Sequence, residues 1–270
     1  MVRVSSICRK QTLGVTEPYI ALLDGDGKTF EAFIKRKGNP QGCLCLINEL
    51  ISYRLAKVLG ILMPESGVAL IDAQTEDNSF SYEVDWKQER GSCFYSRQIK
   101  NVYPLNARAI SHVSNVDMFE KIILFDHLIY NKDRNLGNLL LKANKQQKLL
   151  YVIDHSHVFK NETIWDAVAL RQGIASDDYL DTTILENNQV YDLFFNSNKC
   201  ITKDSLMTIA KDFQHKITKN VLCEVLKDLP KDWLIVKKDI MALEDYLLYR
   251  ASHLIDMCEM IMKEKGTQNV

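Results

Sequence analysis

The spacing of apolar residues changes once along the chain, near residue 104, and this change is the strongest constraint on the fold. Before it, apolar and polar residues alternate in short runs, a pattern typical of strands. After it, apolar residues recur every three or four positions, which is typical of helices. We therefore expect an α+β protein in two lobes. Residues 1–104 form a β-rich N-lobe with one helix, and residues 105–270 form a mostly helical C-lobe.

Strand signals dominate the first part. The runs PYIALLD and TFEAFIK flank the sequence GDGK, which predicts a two-stranded hairpin. The runs GVALIDA, SFSYEV and SCFYSRQI predict three further strands. Between these groups, CLINELISYRLAKVLG has apolar residues at helical spacing, and Gly60 is a suitable end for that helix.

The second part begins with a predicted helix, VDMFEKIILFDHLIY, followed by LGNLLLKANKQQKLLYVID, which predicts a hairpin. Nearly everything from Ser205 onward has helical spacing. We expect one long last helix over residues 239–263. Its apolar face is predicted to pack in the core and comprises Met241, Leu243, Tyr246, Leu247, Leu254, Met257 and Ile261.

Composition excludes several classes of protein. With 270 residues, 46% of them hydrophobic, the chain can bury a large core. Its net charge is −1 and its basic residues are dispersed, so we expect no direct nucleic-acid binding. Seven cysteines, an odd number, are expected to be reduced thiols. There is no signal-peptide pattern and no apolar run of about 18 residues, so we expect a cytoplasmic protein without a membrane span.

A polar stretch, NKDRN, lies between the apolar segments MFEKIILFDHLI and LLL. A solvated surface turn is one interpretation, and a catalytic loop held between a core helix and a core strand is the other. Phosphoryl transfer from ATP needs a carboxylate near the attacking hydroxyl, oxygen ligands for Mg²⁺ and a cation on the phosphates. In protein kinases the base and a metal ligand are spaced D-x-x-x-x-N, and Asp133 and Asn138 have this spacing.

A second carboxylate follows the predicted hairpin. Asp154 comes directly after the apolar run LLYVI, and the hairpin between Asn138 and Asp154 would return these two residues to one place. A turn or a helix cap would explain either carboxylate alone. The order of helix, D-x-x-x-x-N, hairpin and Asp instead favours a catalytic site with Asn138 and Asp154 as Mg²⁺ ligands.

The first part offers the remaining groups. A kinase needs a strand Lys for the phosphates and a helix Glu that holds it. Lys35 ends the run TFEAFIK, next to Arg36 and Lys37, and Glu49 lies early in the next helix. Strand alternation places Phe33 and Lys35 on one face, so Lys35 is the preferred candidate.

A glycine-rich phosphate loop is poorly represented. The run KQTLGVTEPY contains only Gly14, and neither G-x-G-x-x-G nor a Walker A motif is present. Backbone N–H groups over residues 12–16 could still form an anion-binding nest around Gly14.

Three segments together resemble the HipA-type kinases, in particular the compact bacterial HipA-like proteins: NELISYRLAKVLGILMP, FDHLIYNKDRNLGNLLL and VIDHSHVF. The catalytic loop of this family reads N-x-D-R-x-x-x-N, shared in outline with phosphatidylinositol kinases, and corresponds here to Asn131, Asp133, Arg134 and Asn138. Residue 135 is Asn where related loops often have His. The chain is shorter than the HipA toxins, so we do not expect their extra N-terminal subdomain.

The resemblance implies a two-lobed, protein-kinase-like fold and Mg²⁺-dependent transfer of the ATP γ-phosphate to a Ser or Thr hydroxyl of a protein. It implies that Asp133 is the base, that Asn138 and Asp154 hold Mg²⁺, and that Lys35, with Glu49, contacts the phosphates. Adenine is expected near Phe94 and Ser96, by the hinge. The resemblance also implies a possible operon-encoded partner, as in toxin–antitoxin systems.

Two other functions remain open: a small-molecule kinase of the antibiotic-modifying type, and a non-catalytic nucleotide-binding interaction protein. The non-catalytic function is disfavoured because the polar residues expected of a kinase are all present: Lys35, Asp133, Asn138 and Asp154. Residues 165–182 lie where a substrate loop would fall. The sequence DHSH could suggest zinc, but a structural role is favoured for His155 and His157. His127 is expected to be a satisfied core histidine that could brace the catalytic loop. Asp126 could do the same, or could simply cap a polar face.

Overall fold

A ring of strands forms the first part of the molecule. In the computed structural model, which describes residues 1–12, 14–80, 83–186, 188–197, 199 and 201–266, six strands form one sheet. They are β1 (Val2–Lys10), β2 (Tyr19–Gly25), β3 (Lys28–Lys35), β4 (Ser66–Ile71), β5 (Glu76–Asp77) and β6 (Gly91–Arg97). Their order is β2, β3, β6, β4, β1, β5, and β1 also pairs with β2, so five strands close on themselves.

Strand alternation divides the side chains of this sheet between two faces. One face buries a cluster of its own, formed by Val4, Ile7, Tyr19, Ala21, Leu23, Ala32, Ile34, Ala69, Ile71, Cys93 and Tyr95. The other face contributes Phe94 to a second, larger core. Lys35 pairs with Phe94 across β3 and β6 and is buried beside it, so the strand Lys lies between the sheet and that larger core.

The predicted hairpin and the predicted first helix are both confirmed. β2 and β3 pair in antiparallel register, and Asp26 and Gly27 at the turn both have positive φ, the geometry of the tight hairpin turn that Asp-Gly favours. The helix α1 (Cys43–Leu59) ends at Gly60, whose φ of 70° and ψ of 34° are left-handed. The Gly60 N–H donates to the last helical carbonyls, as in a glycine cap.

The second part is mostly helical and contains a small sheet. β7 (Val102–Pro104), β8 (Leu139–Ala143) and β9 (Lys148–Val152) form a three-stranded sheet in chain order, which confirms the predicted hairpin. The helices are α2 (Met118–Leu128), α3 (Ala167–Ala175), α4 (Gln189–Phe195), α5 (Lys203–Lys216), α6 (Lys219–Leu226), α7 (Lys237–Ser252) and α8 (Leu254–Gly266). The α+β class is thus confirmed.

The expectation of one last helix over residues 239–263 is wrong, because the helix breaks at His253. The His253 N–H donates to the Arg250 carbonyl three residues back, and α8 restarts with the Met257 N–H donating to the His253 carbonyl. The His253 ring stacks on Tyr179, with 4.0 Å between ring centroids. Met241, predicted to face the core, is 55% exposed.

The strand predicted at SFSYEV is also wrong for its described residues; Ser81 and Tyr82 lie outside them. The Ser79 backbone N–H and hydroxyl both bond to the Asp77 carboxylate, so this backbone is engaged in a local turn. Phe80 has a φ of 53° and is 91% exposed. A side chain so exposed cannot hold a strand against the core.

The larger core does not stop at residue 104. The buried side chains of α1 pack with those of α2 and of the later helices in one continuous cluster. The sheet and the helical part are therefore joined through α1, which carries Glu49. Among the described residues, no helix is both long and apolar enough to cross a membrane. The six cysteines that the structure describes are free thiols; Cys200 lies outside them.

Candidate active site

The polar stretch forms a loop between α2 and β8, as predicted. α2 ends at Leu128, and Tyr130 takes a left-handed backbone with a φ of 53°. The Asn131 N–H then donates to the carbonyl of Asp126, so the loop folds back on the end of the helix. Because Asn131 is buried and the next two residues are exposed, the loop is anchored at its start and open at Asp133.

Asp126 is the buried anchor of this loop. Its carboxylate has no exposed surface and accepts from Arg134 Nε at 2.9 Å and from the second guanidinium nitrogen at 2.7 Å. It also accepts from Asn131 Nδ2 at 2.8 Å and from the Tyr191 hydroxyl at 3.2 Å. The expectation that Asp126 braces the loop is therefore correct: it holds the residues on both sides of Asp133.

Arg134 extends the same network to the next strand. Its guanidinium donates at 3.4 Å to the carbonyls of Asn138 and Ile153, and it lies 2.9 Å from His155 Nε2. Burial opposes the guanidinium charge, but the Asp126 carboxylate outweighs it and raises the pKa of Arg134. The loop and the end of β9 are thereby fixed to each other.

Asp133 and Asn138, the predicted base and metal ligand, lie on this loop and are joined directly. Asn138 Nδ2 donates to the Asp133 carbonyl at 3.0 Å, and the Asp133 N–H donates to Asn131 Oδ1 at 3.0 Å. These bonds position the backbone and leave the Asp133 carboxylate free. Partial burial and the neighbouring Asp154 charge raise the pKa of Asp133.

Lys35, Glu49 and Asp154 meet in one cluster, although they are far apart in sequence. Lys35 Nζ lies 2.5 Å from Glu49 Oε1 and 3.0 Å from Asp154 Oδ1. Burial lowers the pKa of Lys35, but these two carboxylates outweigh it and raise the pKa above its usual value. The lysine therefore stays protonated. Its neighbours are committed elsewhere: Arg36 pairs with Glu89, and Lys37 donates to the Arg90 carbonyl.

Ser156 completes the cluster. Its hydroxyl accepts from Lys35 Nζ at 2.7 Å and lies 2.7 Å from Asp154 Oδ1 and 3.1 Å from Glu49 Oε1. Burial opposes the Asp154 charge, but Lys35 and the Ser156 hydrogen bond hold the pKa of that carboxyl well below its usual range. Asp154 is therefore ionised at any physiological pH.

Asn48, next to Glu49 on α1, binds the segment that follows Asp154. Its amide nitrogen donates to the carbonyls of Ser156 at 2.6 Å and Glu162 at 3.1 Å, and its oxygen accepts from Trp165 Nε1 at 2.8 Å. The Asn48 side chain is fully buried. Two consecutive residues of α1 thus hold both the lysine and residues 156–165, which links the sheet side of the site to its helical side.

Gly14 lies at the same end of the sheet as Lys35. β1 and β2 pair up to Lys10 and Tyr19, and Tyr19 pairs with Ile34, so the connection that contains Gly14 emerges beside the end of β3. Arg36 contacts Glu17 of this connection at 3.4 Å. The cradle expected over residues 12–16 includes Leu13, which lies outside the described residues, and its role stays a prediction.

The register of β6 fixes which residues lie next to Phe94 and Ser96, the residues expected near adenine. Phe94 lies opposite both Lys35 and Val68 and is buried, and Ser96 lies opposite Phe33 and Ser66. A groove of about 840 Å³ runs beside residues 97–101, after β6. Its lining does not include Lys35, Asp133 or Asp154, so this groove is distinct from the cluster of polar groups.

The predicted metal ligands present oxygen atoms. Asn138 uses its amide nitrogen to reach Asp133, which leaves its amide oxygen available as a ligand. Asp154 is 37% exposed and receives Lys35 and Ser156 on Oδ1, so its second oxygen is outside these contacts. Mg²⁺ is commonly held by one or two such oxygen ligands together with water and substrate phosphates. This donor set fits Mg²⁺.

The buried histidines His155 and His127 contact other side chains of the protein. No group of three or more His, Cys, Asp or Glu residues in the described ranges is placed to hold a metal ion. His155 is buried beside Arg134, and burial lowers its pKa well below the usual value. His127 was expected to be satisfied, but neither of its ring nitrogens has a hydrogen-bond partner in the described part of the chain. Its ring instead stacks on Tyr191.

Sequence reasoning missed Ser156 and Asn48. Ser156 lies in the quoted motif VIDHSHVF, so its distance of two residues from Asp154 was an available signal. Asn48 precedes Glu49, but nothing in a helical pattern separates a buried amide from a surface one, and its three partners come from a distant segment.

Comparisons with known proteins bear on the fold and the family of the chain. The chain resembles the Helicobacter pylori proinflammatory kinase CtkA in structure, with a TM-score of 0.57 and 12% identity over 97% of this chain and 98% of that one. This likeness shows a shared fold. HipA of Shewanella oneidensis MR-1, solved with HipB and operator DNA, aligns with a TM-score of 0.43 and 14% identity over 93% of this chain and 65% of that one.

None of the curated proteins matches the chain. The family model described as HipA-like kinase matches residues 4–260. This range covers nearly the whole chain, including Lys35, Glu49 and the loop that contains Asp133. The chain belongs to the HipA-like kinase family.

Proposed function

We propose that the protein is an ATP- and Mg²⁺-dependent kinase that transfers the γ-phosphate to a Ser or Thr hydroxyl of a protein. One observation carries the proposal: Lys35, Glu49 and Asp154 meet within hydrogen-bonding distance, and the same network of buried groups fixes the loop of Asp133 and Asn138 beside them. These are the polar groups that phosphoryl transfer needs.

Each group has a distinct role. Lys35, kept protonated by Glu49 and Asp154, contacts the nucleotide phosphates. Asp133, exposed on an anchored loop, accepts the proton of the attacking hydroxyl. Its raised pKa brings the carboxylate nearer to the value that suits a general base. Asp126 and Arg134 act on the reaction only by fixing where Asp133 lies.

Asn138 and Asp154 would hold Mg²⁺, which when bound neutralises charge on the phosphates. Asp154 serves this role as a permanent carboxylate, because its pKa lies well below the usual range. The Gly14 connection would supply backbone N–H groups to the phosphates, and adenine would lie near Phe94 and Ser96.

The expected organisation follows the same proposal. An N-lobe of residues 1–104 and a C-lobe of residues 105–270 would enclose the nucleotide between them. The protein acceptor, an operon-encoded partner and a cytoplasmic location are carried from the family resemblance and stay predictions. So does the absence of direct nucleic-acid binding.

Calorimetry of ATP binding with and without Mg²⁺ tests the proposal, on wild type, Asp154→Ala and Asp245→Ala. Asp245 is an exposed carboxylate on α7 and serves as the matched control. We expect Mg²⁺-dependent binding in wild type and in the control, and its loss in Asp154→Ala. Incubation with γ-labelled ATP and a lysate should then label protein.

The outcomes separate the three functions. Label on protein supports the proposal, and label only on small molecules would identify a small-molecule kinase. Mg²⁺-dependent binding without any transfer would favour a nucleotide-binding interaction protein. Absence of ATP binding under every metal condition, or turnover in Asp154→Ala equal to wild type, would overturn the assignment.

A further inference from the structure

Tyr130, the residue before the catalytic loop, carries a cluster of cations that the proposed reaction does not use. Its buried ring lies 4.7 Å from the Arg250 guanidinium carbon, 5.1 Å from Lys132 Nζ and 5.3 Å from Lys160 Nζ, measured to the ring centroid. An aromatic face attracts cations at such distances. One ring therefore holds three positive groups within reach of the loop that carries Asp133.

This cluster lies between the catalytic loop and the segment of residues 165–182. The Tyr130 hydroxyl donates to Asp181, and Arg250 pairs with Asp178. None of the three cations contacts Lys35, Glu49 or Asp154, the groups assigned to the nucleotide. Lys132 is thus the chain neighbour of Asp133, and neither lysine of the cluster pairs with a group assigned to the nucleotide.

The three cations differ in how far they are committed. Arg250 is fully buried and is used up by Asp178 and by the carbonyls of His127 and Leu128. Lys160 has one long contact, 3.8 Å from Asp178, and is 26% exposed. Lys132 is exposed and makes no ion pair within the described ranges. Two ammonium groups are therefore available to a ligand.

The nearby carboxylates already have other donors, although the Lys132 charge helps to lower the pKa of Asp181. Asp178 already accepts from Arg250 and from the Tyr246 hydroxyl at 2.7 Å. Asp181 accepts from Tyr130 and from the Thr183 N–H at 2.9 Å. Both lysines keep donors free, and the fixed ring limits where the ammonium groups lie, which lowers the cost of ordering them around an anion.

We propose that Lys132 and Lys160, placed by Tyr130, form an anion site that selects protein acceptors with a carboxylate or phosphate side chain next to the hydroxyl. This rests on the proposed kinase function and names its substrate class. Charge complementarity argues for it: the two ammonium groups over the Tyr130 ring, three residues before Asp133, are both cationic, and an ammonium group binds carboxylate and phosphate oxygens through charge-assisted hydrogen bonds.

The test uses four series of Ser-centred peptides on a Gly/Ala background. One flanking position at a time carries Asp, phosphoserine, Ala or Lys. Binding is measured with a non-hydrolysable ATP analogue and Mg²⁺, and transfer is measured as kcat/KM. The variants are Lys132→Gln, Lys160→Gln and Lys160→Glu, with Lys211→Gln, an exposed lysine on α5, as the matched control. Thermal melting verifies that each variant folds.

We expect wild type and the control to favour Asp or phosphoserine over Ala by about tenfold, the effect of one charge-assisted hydrogen bond. This preference should shrink with added salt and fall several-fold in each Gln variant. Lys160→Glu should favour Lys peptides instead. Comparing the affinities of the Asp and phosphoserine peptide series decides whether the site prefers a carboxylate or a phosphate.

Failure of the inference and failure of the kinase proposal are distinguishable. A wild-type protein that binds Mg²⁺ and ATP but neither binds nor modifies the acidic series better than the Ala series overturns the inference alone. Equal loss of ATP affinity and acceptor preference in Lys132→Gln would also overturn it, because the lysine would then serve the nucleotide. Absence of ATP binding overturns both.

Discussion

Removing the carboxylate of Asp126 should destabilise the protein severely, although Asp126 touches neither substrate nor metal ligand. Asp126→Ala would remove four hydrogen bonds, from two Arg134 nitrogens, Asn131 and Tyr191. Arg134 and Asp126 both have fully buried side chains, so the variant leaves an uncompensated positive charge in the core. Breaking a buried pair in this way costs about 3–5 kcal/mol, a large share of the roughly 5–15 kcal/mol that stabilises a typical domain.

A double variant tests this physical reason. Asp126→Leu with Arg134→Met removes both charges and should cost less than the sum of the two single variants, because no unpaired charge stays buried. Transfer should nevertheless stay lost in the double variant, since Asp133 no longer has its anchor. Urea unfolding at an unchanged m-value gives the free energies, and γ-labelled ATP gives transfer.

Two results would contradict the reasoning. A cost below about 1 kcal/mol for Asp126→Ala would mean that Arg134 finds water or another partner. Wild-type transfer in the stable double variant would mean that the buried pair does not position Asp133. Lys121→Ala, which removes a partly exposed ion pair with Asp117, the residue that precedes the same helix, is the control and should cost under about 1 kcal/mol.

Three further predictions concern single side chains. Asp133→Asn should abolish transfer, leave ATP affinity near wild type and raise the melting temperature at pH 7. The pKa of Asp133 is raised in the folded protein, so its carboxylate destabilises the fold at pH values above that pKa. The difference in melting temperature between Asp133→Asn and wild type should therefore shrink as the pH falls towards that pKa. Equal melting temperatures at pH 7 would contradict this. Burial and Arg250 lower the pKa of His127 to about 3, so the stability that depends on the neutral ring is complete above about pH 6.5 and is lost as the pH falls. His127→Leu should therefore make the unfolding free energy depend less steeply on pH between about pH 6.5 and 4.5, by up to about 1.4 kcal/mol per pH unit. An unchanged pH dependence, measured by urea unfolding at several pH values, would refute this prediction. Trp165→Phe keeps an aromatic, though smaller, ring and removes the donor to Asn48, so transfer should fall. Combining it with Asn48→Ala should cost little more than Asn48→Ala alone, and additive losses of kcat/KM would show that the two residues act separately.

The elements of the fold could largely be predicted from the sequence. The Asp-Gly turn, the helix that stops at Gly60 and the hairpin after the catalytic loop all depend on local backbone preferences, which a short window contains. The predictions of the last helix and of the SFSYEV strand were wrong because tertiary packing overrode the local pattern. The break at His253 and the exposed Phe80 depend on neighbours that no window includes.

For the candidate site too, some residues could be predicted from the sequence and others could not. The spacing of Asp133 and Asn138, and the positions of Lys35, Glu49 and Asp154, were available as residue types in the right order, because chemistry restricts which side chains can serve phosphoryl transfer. The partners that hold them in place were not. Asn48 bonds only to a segment more than a hundred residues away, and Ser156 joins its neighbour Asp154 to Glu49, which is just as distant in the chain.

The sequence by itself determined the family, the α+β class, the β2–β3 hairpin, α1, and the loop that carries the proposed base. Only the tertiary structure decided that Asp126 anchors this loop, that α1 joins the sheet to the helical core, and that Lys132 and Lys160 lie over the ring of Tyr130. The reason is physical. Local conformation follows from neighbours in the chain, whereas burial, charge pairing and free hydrogen-bond donors depend on which distant segments meet in space.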